Sequence, residues 1–251
     1  MKTITSEDGT TLAIDISGSG PALVVVAGAF CDRHSKKGLA SRLTGSFTVY
    51  EYDRRGRGDS GPLGDVPPEK EIDDLAAVVA LTGGEPCVFG DSSGGALVIA
   101  GAAAGVAFRK IAVYEPPFTS GPSTALAEDL SSFVAAGDRS RAVELFLGLM
   151  GVPAPAIQGM KQGPQWSHLE ALAHTLPMDV RLCNDGRVPE GQLARISAPL
   201  LAIAGSTSPW AVDVVNSIAS VAPNAEALTL AGEGHAVSDD ALAGALINHF
   251  T

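Results

Sequence analysis

Ser92 is the residue whose surroundings best suit a nucleophile, because it lies in the segment Gly90-Asp-Ser-Ser-Gly94. Apolar residues 86–89 precede this segment and a run of small residues, 95–100, follows it. The pattern predicts a strand, a sharp turn and a buried helix. Glycines on both sides of the serine are what such a turn requires, since the chain doubles back within contact distance. The turn would lift the hydroxyl clear of the sheet and aim the first helical N–H groups at the space above it.

A serine hydroxyl needs a base to take its proton, and histidine has the pKa that suits this task. We predict His235 as the base, because it lies in a glycine-flanked loop after the last predicted strand and before the last helix. That position puts its ring on the same edge of the sheet as Ser92. We interpret His249, beside Phe250, as structural. For the other three histidines we favour a structural role, although His34 could edge the pocket and His174 could face a ligand. They are His34, His168 and His174.

Composition limits the classes of function. A chain of 251 residues with 45% hydrophobic residues is long enough for one large α/β domain with an inserted subdomain. The net charge of −11 argues against nucleic acids and anionic membranes as partners. Cys31, Cys87 and Cys183 lack the spacing of metal ligands, so we expect no disulfide, no metal and a reducing cytoplasm. We see no apolar stretch typical of a signal peptide or of a membrane span.

The elements that must position these residues follow from the hydrophobic pattern. We predict a hairpin in the first 20 residues, a last helix capped by Ser238, and helical periodicity from about 118 to 196 with Asp138 as an N-cap. We expect a core of residues 1–117 and 197–251, with a helical cap insertion of residues 118–196 at the carboxyl ends of the strands, where open sheets bind ligands. Further strands are predicted at 22–27, 47–52, 86–92, 110–115, 199–205 and 227–231. Helices are predicted at 35–44, 68–81, 93–105, 166–176 and 209–221.

The chain resembles the α/β-hydrolase superfamily over nearly its whole length. The resemblance is carried by residues 24–28, 53–60 and 200–205, by the turn at Ser92 and by Gly232-Glu-Gly-His235. It implies a mostly parallel, eight-stranded α/β-hydrolase sheet flanked by helices, and a catalytic triad of nucleophile, acid and histidine. The segment Asp53-Arg-Arg-Gly-Arg-Gly suggests a phosphate-binding loop at first sight. The resemblance favours a brace beneath the active site instead.

The acid of the triad departs from the usual family pattern. Most relatives carry an aspartate a few residues after the strand that matches residues 200–205, but residues 206–210 here contain no carboxylate. Some members, haloalkane dehalogenases among them, place the acid after the strand that follows the nucleophile helix, where this chain has Glu115. A carboxylate there is costly to bury unless it is paired, and His235 would pair it. A structural glutamate that accepts backbone N–H groups remains open, as do Asp213 and Asp91 as the acid.

The resemblance also implies the oxyanion hole, which needs two preset donors. One is the backbone N–H of Ser93, directly after the nucleophile, and the other is that of Ala29 in the turn after the first core strand. Aromatic residues are expected to line an apolar pocket over Ser92. The candidates for substrate contact are Phe30 and Trp210 first, and then Phe118, Phe146 and Trp166.

The leading hypothesis is a serine hydrolase that acts on a small, apolar ester or lactone, with no cofactor, as a monomer or homodimer. The same triad could serve perhydrolase, carbon–carbon hydrolase, or cyclising and acyl-transfer chemistry, because fold and triad do not choose among these reactions. A different hypothesis is a ligand-binding protein with an incomplete triad. The missing acid after Gly205 is the feature that favours it.

Overall fold

The computed structural model describes residues 1–64, 66–119, 121 and 123–251. Within these residues, eight strands form one sheet in the order β1-β2-β4-β3-β5-β6-β7-β8. The first two lie at one edge in antiparallel orientation, and β3 to β8 are parallel. The predicted mostly parallel, eight-stranded sheet is therefore confirmed. The strands are β1 (Lys2–Thr5), β2 (Thr11–Gly18), β3 (Ala22–Val26), β4 (Thr48–Tyr52), β5 (Cys87–Asp91), β6 (Lys110–Tyr114), β7 (Leu200–Gly205) and β8 (Ala225–Leu230).

The register of the central strands brings four chain segments to one edge of the sheet. Val26 pairs with Gly90, Asp91 with Tyr114, and Tyr114 with Ile203. The residues that directly follow β3, β5, β6 and β7 therefore lie side by side at the carboxyl edge, where open α/β sheets bind their ligands.

Helices cover both faces of the sheet, because successive strand residues point to opposite faces and both sets are apolar. Val24 packs with one layer of helices, and its neighbour Val25 packs with the other layer. Among the described residues no helix is both long and apolar enough to cross a membrane. The layer on the Val25 face comprises α1 (Lys37–Leu43) and α11 (Asp239–Phe250), and the layer on the Val24 face comprises α2 (Glu69–Leu81), α3 (Ser93–Ala103) and α10 (Pro209–Val221).

A helical insertion, defined as α4 to α9, separates β6 from β7 and has a hydrophobic cluster of its own. Asp138 is the N-cap of α5 as predicted, since its side chain accepts the N–H of Arg141 at 3.1 Å. The helix expected at 166–176 is shorter than predicted, because α7 ends at Leu172 and a 3₁₀ turn, Ala173–Thr175, leads into a separate helix, α8, whose first turn holds Pro177. The insertion comprises α4 (Thr124–Ala135), α5 (Arg139–Leu149), α6 (Ala154–Lys161), α7 (Gln165–Leu172), α8 (Leu176–Arg181) and α9 (Glu190–Leu193).

The prediction that Ser238 caps the last helix is correct in position and wrong in contact. Ser238 precedes α11, but its side chain makes no hydrogen bond to a helical N–H. Its hydroxyl donates instead to one carboxylate oxygen of Glu233, and its backbone N–H donates to the other at 2.8 Å. These bonds close the loop that carries His235.

Candidate active site

Ser92 lies at a strained corner between β5 and α3, as the glycine pattern predicts. Its φ of 53° and ψ of −122° fall where L-residues are uncommon. A Cβ on Gly90 would come 2.6 Å from the carbonyl oxygen of Gly94, and one on Gly94 would come 2.2 Å from that of Val26. Both positions therefore require glycine. Backbone bonds hold the corner from both sides, since Ser92 N–H donates to the Tyr114 carbonyl at 2.8 Å and the Ser92 carbonyl accepts from Gly95 N–H at 2.8 Å.

Glu115 and His235, which are 120 positions apart in the chain, meet at the carboxyl edge of the sheet. Glu115 directly follows β6 and is fully buried. The His235 Nδ1–H donates to Glu115 Oε2 at 2.7 Å, and the Gly205 N–H donates to Oε1 at 2.9 Å. A carboxylate only accepts, so Nδ1 carries the ring proton and Nε2 is left as the basic nitrogen. The hydrogen bond that His235 donates to Glu115 raises the pKa of His235 above its ordinary value, although burial opposes the shift.

The loop that carries His235 is seated on the end of β7. Both the N–H and the Oγ1 of Thr207 donate to the Glu233 carbonyl, at 2.9 and 2.8 Å. The Tyr114 hydroxyl donates to the Gly234 carbonyl. The imidazole remains 40% exposed, with its centroid 6.3 Å from that of the Trp210 ring. The ring is thus held from below by Glu115 and open above.

The other two acids considered from the sequence lie elsewhere. Asp213 is exposed on α10, and Asp91 forms an ion pair with Lys36 at 2.5 Å. Glu115 is the carboxylate that reaches the His235 ring. Within the described residues no hydrogen bond joins the Ser92 hydroxyl to the His235 imidazole, so the structure brings acid and base together and leaves the serine unpaired with the base. Catalytic hydrogen bonds often tighten only when substrate is bound.

The other histidines have different surroundings. His249 Nε2 donates to the Ile111 carbonyl at 2.9 Å, and His174 Nδ1 donates to the Ala171 carbonyl at 3.0 Å. Burial lowers the pKa of both rings. His34 and His168 are exposed. His235 is the histidine whose ring is bonded to Glu115 at the carboxyl edge of the sheet.

Ala29 and Ser93 border, together with Ser92, a small cavity of ≈ 20 Å³. Ser93 is the first residue of α3, so its N–H has no intrahelical acceptor. In the part of the chain that the structure describes, neither the Ala29 N–H nor the Ser93 N–H donates a hydrogen bond to the protein. Two free backbone donors beside a serine are what an oxyanion hole would require.

This small cavity, which we call the inner cavity, is mostly apolar and holds little more than one water molecule. A larger outer cavity of ≈ 350 Å³ lies next to it and shares Pro117, Leu149 and Met150 with it. The inner cavity is further lined by Ala29, Ser92, Ser93, Phe146, Asp179, Val180 and Cys183, and the outer one by Thr119, Gly121, Gly151 and Trp210.

Three of the five aromatic residues expected to contact substrate lie near these cavities. Phe146 lines the inner cavity and Trp210 the outer one. Phe30 packs edge-to-face on Phe146, with centroids 5.4 Å apart.

The other two predicted contacts lie elsewhere. Phe118 packs in the core with α3 and α10 and borders a separate open groove formed with residues 184–195. Trp166 is buried inside the insertion, where its Nε1–H donates to the Ser140 hydroxyl at 3.0 Å. Both rings pack against other protein side chains, and neither lines the two cavities near Ser92.

The segment 53–60 braces the site and does not form a phosphate loop. Arg54, Arg55 and Arg57 are all buried and paired with carboxylates. One of these, Asp179 on α8, was missed from the sequence. The available signal was weak: a single acidic residue between apolar ones in residues 176–180. Within the described residues no group of three His, Cys, Asp or Glu side chains is placed to hold a metal ion.

Comparison with known proteins agrees with this fold. A model of the Alpha/beta hydrolase family matches residues 23–245. The structure of an alpha/beta hydrolase from Sphaerobacter thermophilus DSM 20745 is similar over 100% of both chains, with 41% identity and a TM-score of 0.92. A search among curated proteins found no significant match.

Two more distant structures share the fold. A thermophilic esterase from Thermogutta terrifontis is 20% identical over 100% of this chain and 99% of that chain, with a TM-score of 0.77. The enol-lactonase from Burkholderia xenovorans LB400 is 17% identical over 99% of both chains, with a TM-score of 0.74.

Proposed function

The chain belongs to the alpha/beta hydrolase family, and from that premise we propose that it is a serine hydrolase that cleaves small carboxylic esters or lactones through an acyl-enzyme on Ser92. The observation that carries the proposal is the 2.7 Å hydrogen bond from His235 Nδ1 to the fully buried Glu115. A buried carboxylate behind an imidazole fixes its tautomer and stabilises the imidazolium that forms during catalysis. Ser92 follows β5, the strand next to β6, so the three side chains supply the residue types of a nucleophilic triad.

The reaction proceeds in two halves. Ser92 Oγ attacks the carbonyl carbon while His235 Nε2 takes the hydroxyl proton, and the backbone N–H groups of Ala29 and Ser93 hold the oxyanion. When the tetrahedral intermediate collapses, the C–O bond to the leaving alcohol breaks and His235 returns the proton to that alcohol. A water molecule then attacks the acyl-enzyme with His235 as base, which releases the acid and restores the serine.

The two cavities suggest how a substrate would lie. The inner cavity, next to Ser92 and lined by apolar side chains, suits a short acyl group. The outer cavity, which reaches Trp210 beside His235, suits the alcohol part. The insertion, residues 118–196, acts as a cap over the core of residues 1–117 and 197–251. That an esterase and an enol-lactonase share the fold supports the substrate class.

The ligand-binding alternative loses its main support. It rested on the missing carboxylate after Gly205, and Glu115 reaches the His235 ring from the next strand instead. Other acyl or carbon–carbon chemistry with the same residues stays open, because the fold and triad do not choose among these reactions.

Labelling with a fluorophosphonate probe tests the proposal. We expect the wild type to be labelled on Ser92 and to hydrolyse p-nitrophenyl acetate, and we expect Ser92→Ala to do neither. Ser220→Ala, which changes an exposed serine on α10, is the matched control and should behave as the wild type. A folded wild type that neither reacts with the probe nor hydrolyses the ester would rule the proposal out.

A further inference from the structure

A buried ionic cluster lies directly beneath the proposed oxyanion hole. Arg54, Arg57, Ser93 and Asp179 are each 3% exposed or less. Three of them belong to the core of the fold, whereas Asp179 comes from α8 of the insertion. Asp179 also borders the inner cavity. A charged side chain is expensive to bury unless it is paired, and the arginines and Asp179 of this cluster are paired with one another.

The two arginines hold carbonyl groups of the turn after β3. Arg57 Nη1 donates to the Gly28 carbonyl at 2.5 Å and to the Cys31 carbonyl at 3.3 Å. Arg54 Nη1 donates to the Ala27 carbonyl at 3.3 Å. This turn carries the N–H of Ala29, the first of the two proposed donors to the oxyanion.

The bond to Gly28 fixes the direction of that donor. The Gly28 carbonyl and the Ala29 N–H belong to one peptide group, which is planar and trans, so they point in opposite directions. With Arg57 on the carbonyl side, the N–H side is turned away from the arginine. Ala29 lines the inner cavity beside Ser92, on the side where the oxyanion would form.

Asp179 accepts hydrogen bonds both from the two arginines and from the Ser93 hydroxyl. Its two oxygens accept from Arg57 Nη2 at 2.8 and 2.9 Å, and one of them also accepts from Arg54 Nη1 at 2.8 Å. The same oxygen accepts from the Ser93 hydroxyl at 2.7 Å. Ser93 supplies the second oxyanion donor through its backbone N–H.

Arg57 depends on Asp179 more than Arg54 does. In the described part of the chain Asp179 is the one carboxylate that pairs with Arg57, whereas Arg54 also pairs with Glu71 at 2.5 Å. Burial acts to raise the pKa of Asp179, but the charges of Arg57 and Arg54 hold it below its ordinary value. Asp179 is therefore ionised, and neutralising it would leave Arg57 buried without a counter-charge.

We propose that Asp179 is a positioning residue that sets the oxyanion hole: through Arg57 it orients the Ala29 N–H, and through the Ser93 hydroxyl it anchors the residue that gives the second donor. The inference rests on the proposed serine-hydrolase function. It makes the oxyanion hole dependent on a residue of the insertion, so the site is complete only when α8 is seated on the core.

The test compares Asp179→Asn with Asp74→Asn. Asp74 is equally buried and pairs bidentately with Arg55 at 2.6 and 2.7 Å, away from the inner cavity. Both variants remove one charge from a buried arginine–aspartate pair, so both should lower the melting temperature. We expect Asp179→Asn alone to lower kcat for p-nitrophenyl acetate, by about 10- to 100-fold, since complete loss of one oxyanion donor costs about 10²- to 10³-fold. KM should stay within about threefold, because the interaction acts on the transition state.

Binding of methylboronic acid, whose alkyl group matches the acetyl group of the assay ester, separates positioning from stability. The boronate forms a tetrahedral adduct with Ser92 and puts an oxygen where the oxyanion forms, so its Kd should rise with Asp179→Asn by about the factor by which kcat falls. Should Asp179→Asn not fold, Ser93→Ala keeps the backbone donor, removes the bond to Asp179, and should lower kcat several-fold with the same change in boronate affinity.

Two results would overturn the inference. In the first, the wild type is active, but Asp179→Asn and Ser93→Ala keep its kcat and its boronate affinity. The proposed function would survive that result. In the second, the wild type neither hydrolyses the ester nor binds the boronate, and the proposed function fails as well.

Discussion

Replacing Glu115 with glutamine changes one carboxylate oxygen into an NH₂ group, so the side chain no longer accepts a hydrogen bond on both of its sides. Glu115 accepts from His235 Nδ1–H on one oxygen and from Gly205 N–H on the other. An amide has one oxygen and one NH₂ group, so in either orientation its NH₂ faces a donor. If the NH₂ faces the ring, His235 must take the other tautomer, with its proton on Nε2. That tautomer cannot take the proton of Ser92.

The size of the effect follows from the two roles that Glu115 loses. It no longer fixes the tautomer and no longer stabilises the imidazolium, and a comparable acid-to-amide change in a serine protease costs about 10⁴ in kcat. We therefore expect Glu115→Gln to lower kcat by about 10³- to 10⁴-fold, which is about 4 to 5.5 kcal/mol of transition-state stabilisation at ~1.36 kcal/mol per factor of ten. The fold should persist, because an unpaired buried donor costs about 1–3 kcal/mol.

The assay is p-nitrophenyl acetate hydrolysis at alkaline pH, with circular dichroism to confirm folding. Asp213→Asn is the matched control, since Asp213 is an exposed acid on α10 that does not contact the ring. It should retain wild-type turnover. A folded Glu115→Gln variant within tenfold of the wild type, or an equal loss in Asp213→Asn, would refute the assignment of the acid.

Two further predictions concern pH and substrate size. Because Glu115 raises the pKa of His235, kcat/KM should fall as pH decreases through a midpoint above 6.5, and Glu115→Gln should shift the midpoint of its residual activity downward; a midpoint unmoved by the substitution would contradict the pairing. Leu149 lines both cavities, so Leu149→Ala should join them and raise the butyrate-to-acetate ratio of kcat/KM several-fold, as a few methylene groups in an apolar pocket allow. Leu145→Ala, on the same helix but in a groove away from Ser92, should leave the ratio unchanged, and an equal rise there would point to a general loosening of the insertion.

Local signals made the sharp corner at Ser92 predictable from the sequence. The requirement for glycine at 90 and 94 arises from backbone atoms a few residues away or on the neighbouring strand, so it is visible as a short pattern. The order of strands and helices was predictable for the same reason, since each element carries its own hydrophobic period. The ends of elements were less predictable. The helix expected at 166–176 ends at Leu172, and a separate helix with Pro177 in its first turn begins at Leu176.

The long-range pairs had no local signal. Glu115 and His235 are 120 positions apart, and only the resemblance to particular superfamily members pointed to Glu115. Asp179 lies 122 positions from Arg57, on a short helix whose sequence is otherwise apolar. An acidic residue in such a helix predicts a buried partner but does not name it. The first contact exists because β6, β7 and β8 lie side by side in the sheet, and the second because the insertion folds back over the sheet. Both placements are properties of the whole chain.

Backbone strain at Phe30 and Glu115 was another feature that the sequence concealed, whereas the strain at Ser92 was visible in the glycine pattern. Phe30, Ser92 and Glu115 follow β3, β5 and β6 and have φ values of 59°, 53° and 43°. None is a residue type that favours this region, and each such conformation costs about 1–3 kcal/mol. At Ser92 and Glu115 the chain is held by backbone bonds to the next strand, from Ser92 N–H to the Tyr114 carbonyl and from Glu115 N–H to the Ile203 carbonyl. At Ser92 and Glu115 the positive φ turns the side chain off the sheet edge at once, within one residue of the strand end. A glycine would adopt the same backbone conformation without strain but would carry no hydroxyl or carboxylate, which agrees with the roles proposed for Ser92 and Glu115.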